Sequence, residues 1–161
     1  MQHIDAHNSR RTIVFLSKYF LKQAAKFGSN AVFILAIILT LSFSEFVQAT
    51  FLVSVFVVSY CIAIFCRLVF FRERPHKVSH GTIVERIKSS SFPSLHALRI
   101  CALTTFVSIY SYPIFLLVSM GILSGLVIAS RYLLGKHHKT DLAFGALLGI
   151  LIPTLIYFVF F

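Results

Sequence analysis

The sequence predicts an all-α integral membrane protein: a helical bundle of about five transmembrane helices, preceded by an N-terminal interfacial amphipathic helix. Three observations carry this. Hydrophobic residues make up 58% of the 161 and charged residues only 12%, whereas a soluble domain is roughly half apolar and a quarter charged. Mean hydropathy is +0.88. The apolar residues are also gathered into runs near the ~20 residues that cross a bilayer, separated by short polar connections. The length suits one domain, read as the amphipathic helix over 1–28 and the transmembrane domain over 29–161.

Residues 9–27 contain no uninterrupted apolar run. Arg11, Lys18, Lys22 and Lys26 recur at helical spacing on one side. Ile13, Phe20, Ala24 and Phe27 lie on or near another, broadened by Val14, Leu16 and Leu21. A basic helix with an apolar face lies in the membrane interface more readily than it packs as an ordinary amphipathic helix. Residues 31–71 are apolar for about twice one span, interrupted near Glu45, so a helical hairpin over 29–45 and 48–70 is expected, with Glu45 at the surface.

Residues 72–92 are polar and contain Pro75, Gly81 and three consecutive serines, with a short helix expected over 81–88. Pro93 suits the first turn of the third span, where its missing N–H costs little. That span ends at Ser111-Tyr112-Pro113, a fourth follows over 114–130, and a fifth runs from Leu142 to Phe161. Cys61, Cys66 and Cys101 fall inside apolar runs without metal-ligand spacing and read as packing residues. The N-terminus shows no pattern of a cleaved signal peptide.

Five spans put the N-terminal helix, the 71–93 loop and the 131–141 loop on one membrane face. Of the fifteen Lys and Arg residues, all but Arg99 belong to that face. By the positive-inside rule it is cytoplasmic, with the C-terminus on the opposite side of the cell membrane. The net charge of +10 points to anionic partners, namely bilayer lipids and phosphate esters; no nucleic-acid motif appears.

Three polar clusters converge on the same face. The first is Arg67-x6-Arg74-Pro75, the second Pro93-Ser94-Leu95-His96, the third Ser130-Arg131-x5-His137-x3-Asp141. Arg and His at the ends of membrane spans are costly, so a functional role is the default reading. Arg67, Arg74 and Arg131 can clamp the oxygens of a phosphoryl group, and Ser94 with the Leu95 amide can add hydrogen bonds from a helix N-terminus. If the chain is helical from Lys136 onward, His137 and Asp141 share a face. Asp141 then holds Nδ1–H and leaves Nε2 free to attack phosphorus, while His96 protonates the leaving alkoxide. No cofactor is required.

These clusters resemble the three signatures of the type 2 phosphatidic acid phosphatase (PAP2) superfamily, which also contains the vanadium haloperoxidases. The family patterns are K-x6-R-P, P-S-G-H and S-R-x5-H-x3-D; the third is complete here. The resemblance implies a metal-independent membrane enzyme that hydrolyses a phosphate monoester or pyrophosphate of a phospholipid or polyprenyl lipid through a phosphohistidine. It implies His137, His96 and Asp141 as catalytic residues, and Arg67, Arg74, Ser94, Leu95 and Arg131 as the phosphate site. The sequence departs in three ways. Arg67 stands where the family has Lys, Leu95 replaces a Gly, and two spans rather than three precede the first signature, with the amphipathic helix standing in for the missing one.

Two alternatives belong beside this. A non-enzymatic membrane protein could capture anionic lipids on the same basic face, and His96, His137 and Asp141 could instead hold a metal. Arg99, three residues after His96, either supports the site from behind or snorkels to the interface. His138, His76, His80, Lys77 and Lys136 read as surface or headgroup-contacting residues.

Overall fold

The computed structural model describes residues 15–75 and 82–161. Among these are seven helices and no strand: α1 Phe15–Lys26, α2 Asn30–Ser42, α3 Phe46–Val69, α4 Ile83–Ser89, α5 Leu95–Ile109, α6 Ile114–Leu133 and α7 Lys139–Phe160. Arg11, Ile13 and Val14 of the expected amphipathic face lie outside the described residues, as do His76, Lys77, His80 and Gly81.

Three helices, α3, α6 and α7, are each long and apolar enough to cross a membrane. The chain is an integral membrane protein. The count of five spans is not reproduced. Helix α2, with 13 residues, rises only about 20 Å against a hydrocarbon core of ~30 Å. It qualifies as part of a fourth span only together with α1, from which it is bent by 43°. The bend falls at Gly28-Ser29, the boundary expected between the amphipathic helix and the first span. Ala24, Ala25 and Gly28 are buried there, so the end of α1 packs into the bundle. A Cβ at Gly28 would lie 2.9 Å from the His96 carbonyl oxygen and from a Val127 methyl group; only glycine lets the chain turn so close to α5.

Helix α5, with 15 residues, is also short, and it buries Ala97, Leu98, Arg99, Ile100, Cys101, Ala102, Leu103, Phe106 and Val107. Helices α2, α3, α6 and α7 pack against it, so it needs no long lipid-facing surface. Phe33, Phe51, Leu52 and Val55 pack against Leu98, Ala102, Phe106, Ile152 and Ile156 to form the main core. Phe51 is its aromatic centre, with ring centroids 6.2 Å from Phe106 and 5.7 Å from Tyr110. By contrast, Phe65, Val69, Ile114, Phe115, Ile122, Leu155 and Phe158 are exposed on α3, α6 and α7, as expected where the surrounding solvent is lipid.

The α5–α7 interface depends on Gly145 and Gly149, one turn apart on α7. A Cβ at Gly145 would lie 2.5 Å from the Ser94 carbonyl oxygen, and one at Gly149 would meet the Leu98 carbonyl. Small residues four apart let membrane helices approach backbone to backbone. By contrast, a Cβ at Gly121 on α6 meets nothing within 4 Å. Opposite signs are therefore expected in thermal unfolding in detergent. Gly149→Ala lowers the midpoint, whereas Gly121→Ala leaves it unchanged or raises it, since Ala gains up to about 1 kcal/mol of helix propensity.

Three helices end in the same hydrogen-bonded turn. After α6, the Lys136 N–H donates to the Arg131 carbonyl (3.1 Å) and the Gly135 N–H to the Tyr132 carbonyl (2.9 Å), with Gly135 at φ 63°. This is the Schellman arrangement, in which a left-handed residue closes the helix. Ser44 after α2 and Ser111 after α5 play the same part. Helix α5 begins at Leu95 rather than at Pro93, and α7 at Lys139 rather than Lys136. Pro93 stands just outside the cap residue Ser94.

Candidate functional site

The C-terminal ends of α3 and α6, the loops that follow them, the start of α5 and the α1–α2 bend meet around one cavity of about 310 Å3. Its walls are Ser29, Asn30, Arg67, Arg74, Leu95, His96, Arg99, Arg131 and His137. Six of the eight residues expected at the site are therefore brought together. Arg67 lies in the last turn of α3, Leu95 and His96 in the first turn of α5, and Arg131 in the last turn of α6. Arg74 comes from the loop after α3, and His137 from the loop that Gly135 turns.

Three of the four cavity arginines are tethered by backbone carbonyls. Arg67 donates to the carbonyls of Ile87 (3.2 Å) and Pro93 (3.3 Å), and Arg74 to that of Lys88 (2.8 Å). Arg99 donates to the Gly28 carbonyl (3.2 Å) and to the Tyr60 hydroxyl (2.9 Å). The Nε atoms of Arg67, Arg74, Arg99 and Arg131 are buried without a hydrogen-bond partner. The four guanidiniums around one cavity are a donor set that suits an anion with several oxygens.

His137 is 4% exposed, and its Nδ1 sits 2.8 Å from the Ser91 carbonyl oxygen. A carbonyl only accepts, so the neutral imidazole must carry its proton on Nδ1 and present Nε2 as a lone pair. Burial, Arg131 and Arg74 push this imidazole down to about 4, against the Ser91 hydrogen bond and the charge of Asp141, which pull it up. The sign favours the neutral, nucleophilic form. In an NMR titration of the 15N-histidine-labelled protein, His137 should keep the Nδ1–H tautomer from about pH 8 to about pH 5. A midpoint at the ordinary histidine value would contradict this environment.

Asp141 takes a different position from the one its spacing suggested. Because α7 starts only at Lys139, His137 lies outside the helix and the two side chains do not share a helical face. The Asp141 carboxylate instead accepts from the His138 N–H (2.9 Å) and pairs with Arg72 Nη1 (2.9 Å). It is fully buried and caps α7 while tying the loop after α3 to it. Its backbone carbonyl accepts from the Ser94 N–H (3.1 Å). Ser94 is also fully buried, with Oγ unpartnered, and neither residue lines the cavity. The orienting role expected of Asp141 thus falls to Ser91. Among the described residues no three His, Cys, Asp or Glu side chains are grouped to hold a metal.

Sequence reasoning missed Ser91, Arg72, Ser29 and Asn30. A carbonyl acceptor leaves no mark on residue type, and Arg72 is the arginine between the two that the spacing singles out. Arg99, left open between two readings, lines the cavity.

A family model described as the PAP2 superfamily matches residues 48–161. The chain belongs to the PAP2 superfamily. The match takes in all three polar clusters. Comparison with curated protein sequences gives no match. Two solved PAP2-like structures share the fold. Aquifex aeolicus LpxE superposes with a TM-score of 0.73 at 21% identity, over 87% of this chain and 84% of that one. The first transmembrane PAP2-type phosphatidylglycerolphosphate phosphatase from Bacillus subtilis superposes with a TM-score of 0.71 at 20% identity, over 97% and 84%. At these identities the likeness to both is one of fold.

Proposed function

We propose that this PAP2 member is a membrane phosphatase that hydrolyses the phosphate monoester or diphosphate of a lipid through a phosphohistidine at His137, without a metal. The observation that carries the reading is His137 itself, with Nδ1 held by a carbonyl and Nε2 left for a cavity walled by four guanidiniums. The arginines hold the non-bridging oxygens and neutralise charge as the phosphoryl group moves. Leu95, first residue of α5, brings helix N-terminal amides to the same wall. His96 faces the leaving oxygen, donates a proton when that oxygen needs one, and as the neutral imidazole takes a proton from the attacking water. Ser94 and Asp141 support the wall from behind. The relatives' names point the same way, since one of them is a phosphatidylglycerolphosphate phosphatase.

The site faces the cytoplasm in this reading, because the basic residues gather at its end of the bundle. Release of inorganic phosphate from a panel of purified lipid phosphates, measured in detergent with and without a chelator, tests the function. Chelator-insensitive turnover of at least one lipid phosphate is expected. Turnover of none would overturn the reading.

A further inference from the structure

We infer that Arg72 is the positioning residue of His137, because it closes a ring of contacts through Ser91 and Asp141 that fixes the imidazole. Its importance for turnover rests on the phosphatase reading above. Arg72 stands just past the end of α3 and does not line the catalytic cavity, so it acts only through its neighbours.

Every link of the ring is a hydrogen bond or the chain itself. The Arg72 carbonyl accepts from the Ser91 N–H (2.8 Å), and the Ser91 carbonyl accepts from His137 Nδ1 (2.8 Å). The next residue, His138, donates its N–H to Asp141 Oδ2 (2.9 Å). Asp141 Oδ1 accepts from Arg72 Nη1 (2.9 Å), which returns to the starting residue. Further bonds brace it. The Ser91 hydroxyl meets the carbonyls of Arg72 and Glu73, each at 3.2 Å, and His138 Nε2 donates to the Glu73 carbonyl (3.3 Å).

Ser91 and Asp141 are fully buried and His137 nearly so, so water does not compete for these links. The Arg72 side chain is different: it is 43% exposed. Trimming it opens no cavity in the core, and what is lost is its charge and its bonds to Asp141 and Thr140. Asp141 is then a buried carboxylate without its cation. It must turn or take up a proton, and either weakens its hold on the His138 N–H and the seat of His137 against Ser91. An imidazole that leaves its acceptor is no longer held to one tautomer. The fraction with the proton on Nε2 has no lone pair there to attack phosphorus. Arg74 lies on the same strap after α3, so the nucleophile and one wall arginine share an anchor.

The test joins 15N NMR of the histidine-labelled protein near neutral pH to kcat and KM for a lipid phosphate, in wild type, Arg72→Met, Arg72→Lys and Ser91→Ala. Arg72→Met should lower kcat by about 100-fold and change KM by less than about threefold. Its His137 should show the Nε2–H tautomer beside Nδ1–H. Arg72→Lys keeps the charge; it should restore a single Nδ1–H tautomer and bring kcat to within about tenfold of wild type. Ser91→Ala removes only the hydroxyl brace and should shift the tautomer in the same direction; should Arg72→Met fail to fold, it decides alone. A His137 that keeps Nδ1–H alone in folded Arg72→Met overturns the inference whatever the rate, since Arg72 then serves the fold only. A mixed tautomer with wild-type kcat leaves the ring standing and overturns His137 as the nucleophile. If wild type turns over no lipid phosphate, the phosphatase reading falls, and the NMR comparison still decides the ring.

Discussion

Replacing His137 by alanine is expected to reduce lipid-phosphate hydrolysis by about ten-thousand-fold or more, because in the proposed mechanism the variant lacks the atom that bonds to phosphorus. The fold should survive. His137 contributes one hydrogen bond, to the Ser91 carbonyl, worth about 1 kcal/mol. Unchanged elution in size-exclusion chromatography beside lost phosphate release separates chemistry from structure. A variant that keeps a tenth of wild-type turnover would mean that Nε2 is not the nucleophile, and would favour passive capture of anionic lipids on the basic face.

Arg131 carries the second-largest expected effect. Arg131→Ala should lower kcat/KM by about a thousand-fold, the scale seen when one fixed donor to a transition-state oxyanion is removed. Arg131→Lys restores the charge but not the fork, and should recover only part of that loss. The comparison works because the residue's structural share lies in its backbone. The Arg131 carbonyl accepts the Lys136 N–H that closes α6, and neither substitution removes it. Wild-type activity in both the alanine and the lysine variant would mean that the side chain does not hold phosphate.

Much of this was legible in the sequence because membrane spans and phosphate sites both leave strong marks. Apolar runs gave the long helices α3, α6 and α7, and Glu45 and Tyr112-Pro113 marked turns that the structure contains. The clustering of Arg67, Arg74, His96, Arg131 and His137 followed from their shared position at helix ends. What was hidden depends on packing. The burial that makes α5 a central helix, and the shortness it permits, are not properties of its own composition. Gly145 and Gly149 read as unremarkable residues until the backbone of α5 is set against them.

The Asp141 reading shows the limit most clearly. A spacing of four residues implies a shared face only inside a helix, and the Schellman turn at Gly135 delays α7 until Lys139. His137 is left on the turn, where Ser91 meets its Nδ1, and Asp141 turns to Arg72 and the His138 N–H. The chemical consequence expected of Asp141, a fixed Nδ1–H tautomer, is still supplied, by a different partner. Asp141→Asn should therefore be milder than Asp141→Ala, since an Asn side-chain oxygen can still accept from the His138 N–H.

The central claim is a covalent bond between His137 and phosphorus. Rapid quenching of the enzyme in alkali during turnover of a lipid phosphate, followed by mass spectrometry of its peptides, tests it most directly. An acid-labile phosphoryl group on His137, absent from the His137→Ala variant, is the expected result. Steady turnover with no phosphoryl group on any residue, or with one on His96, would contradict it.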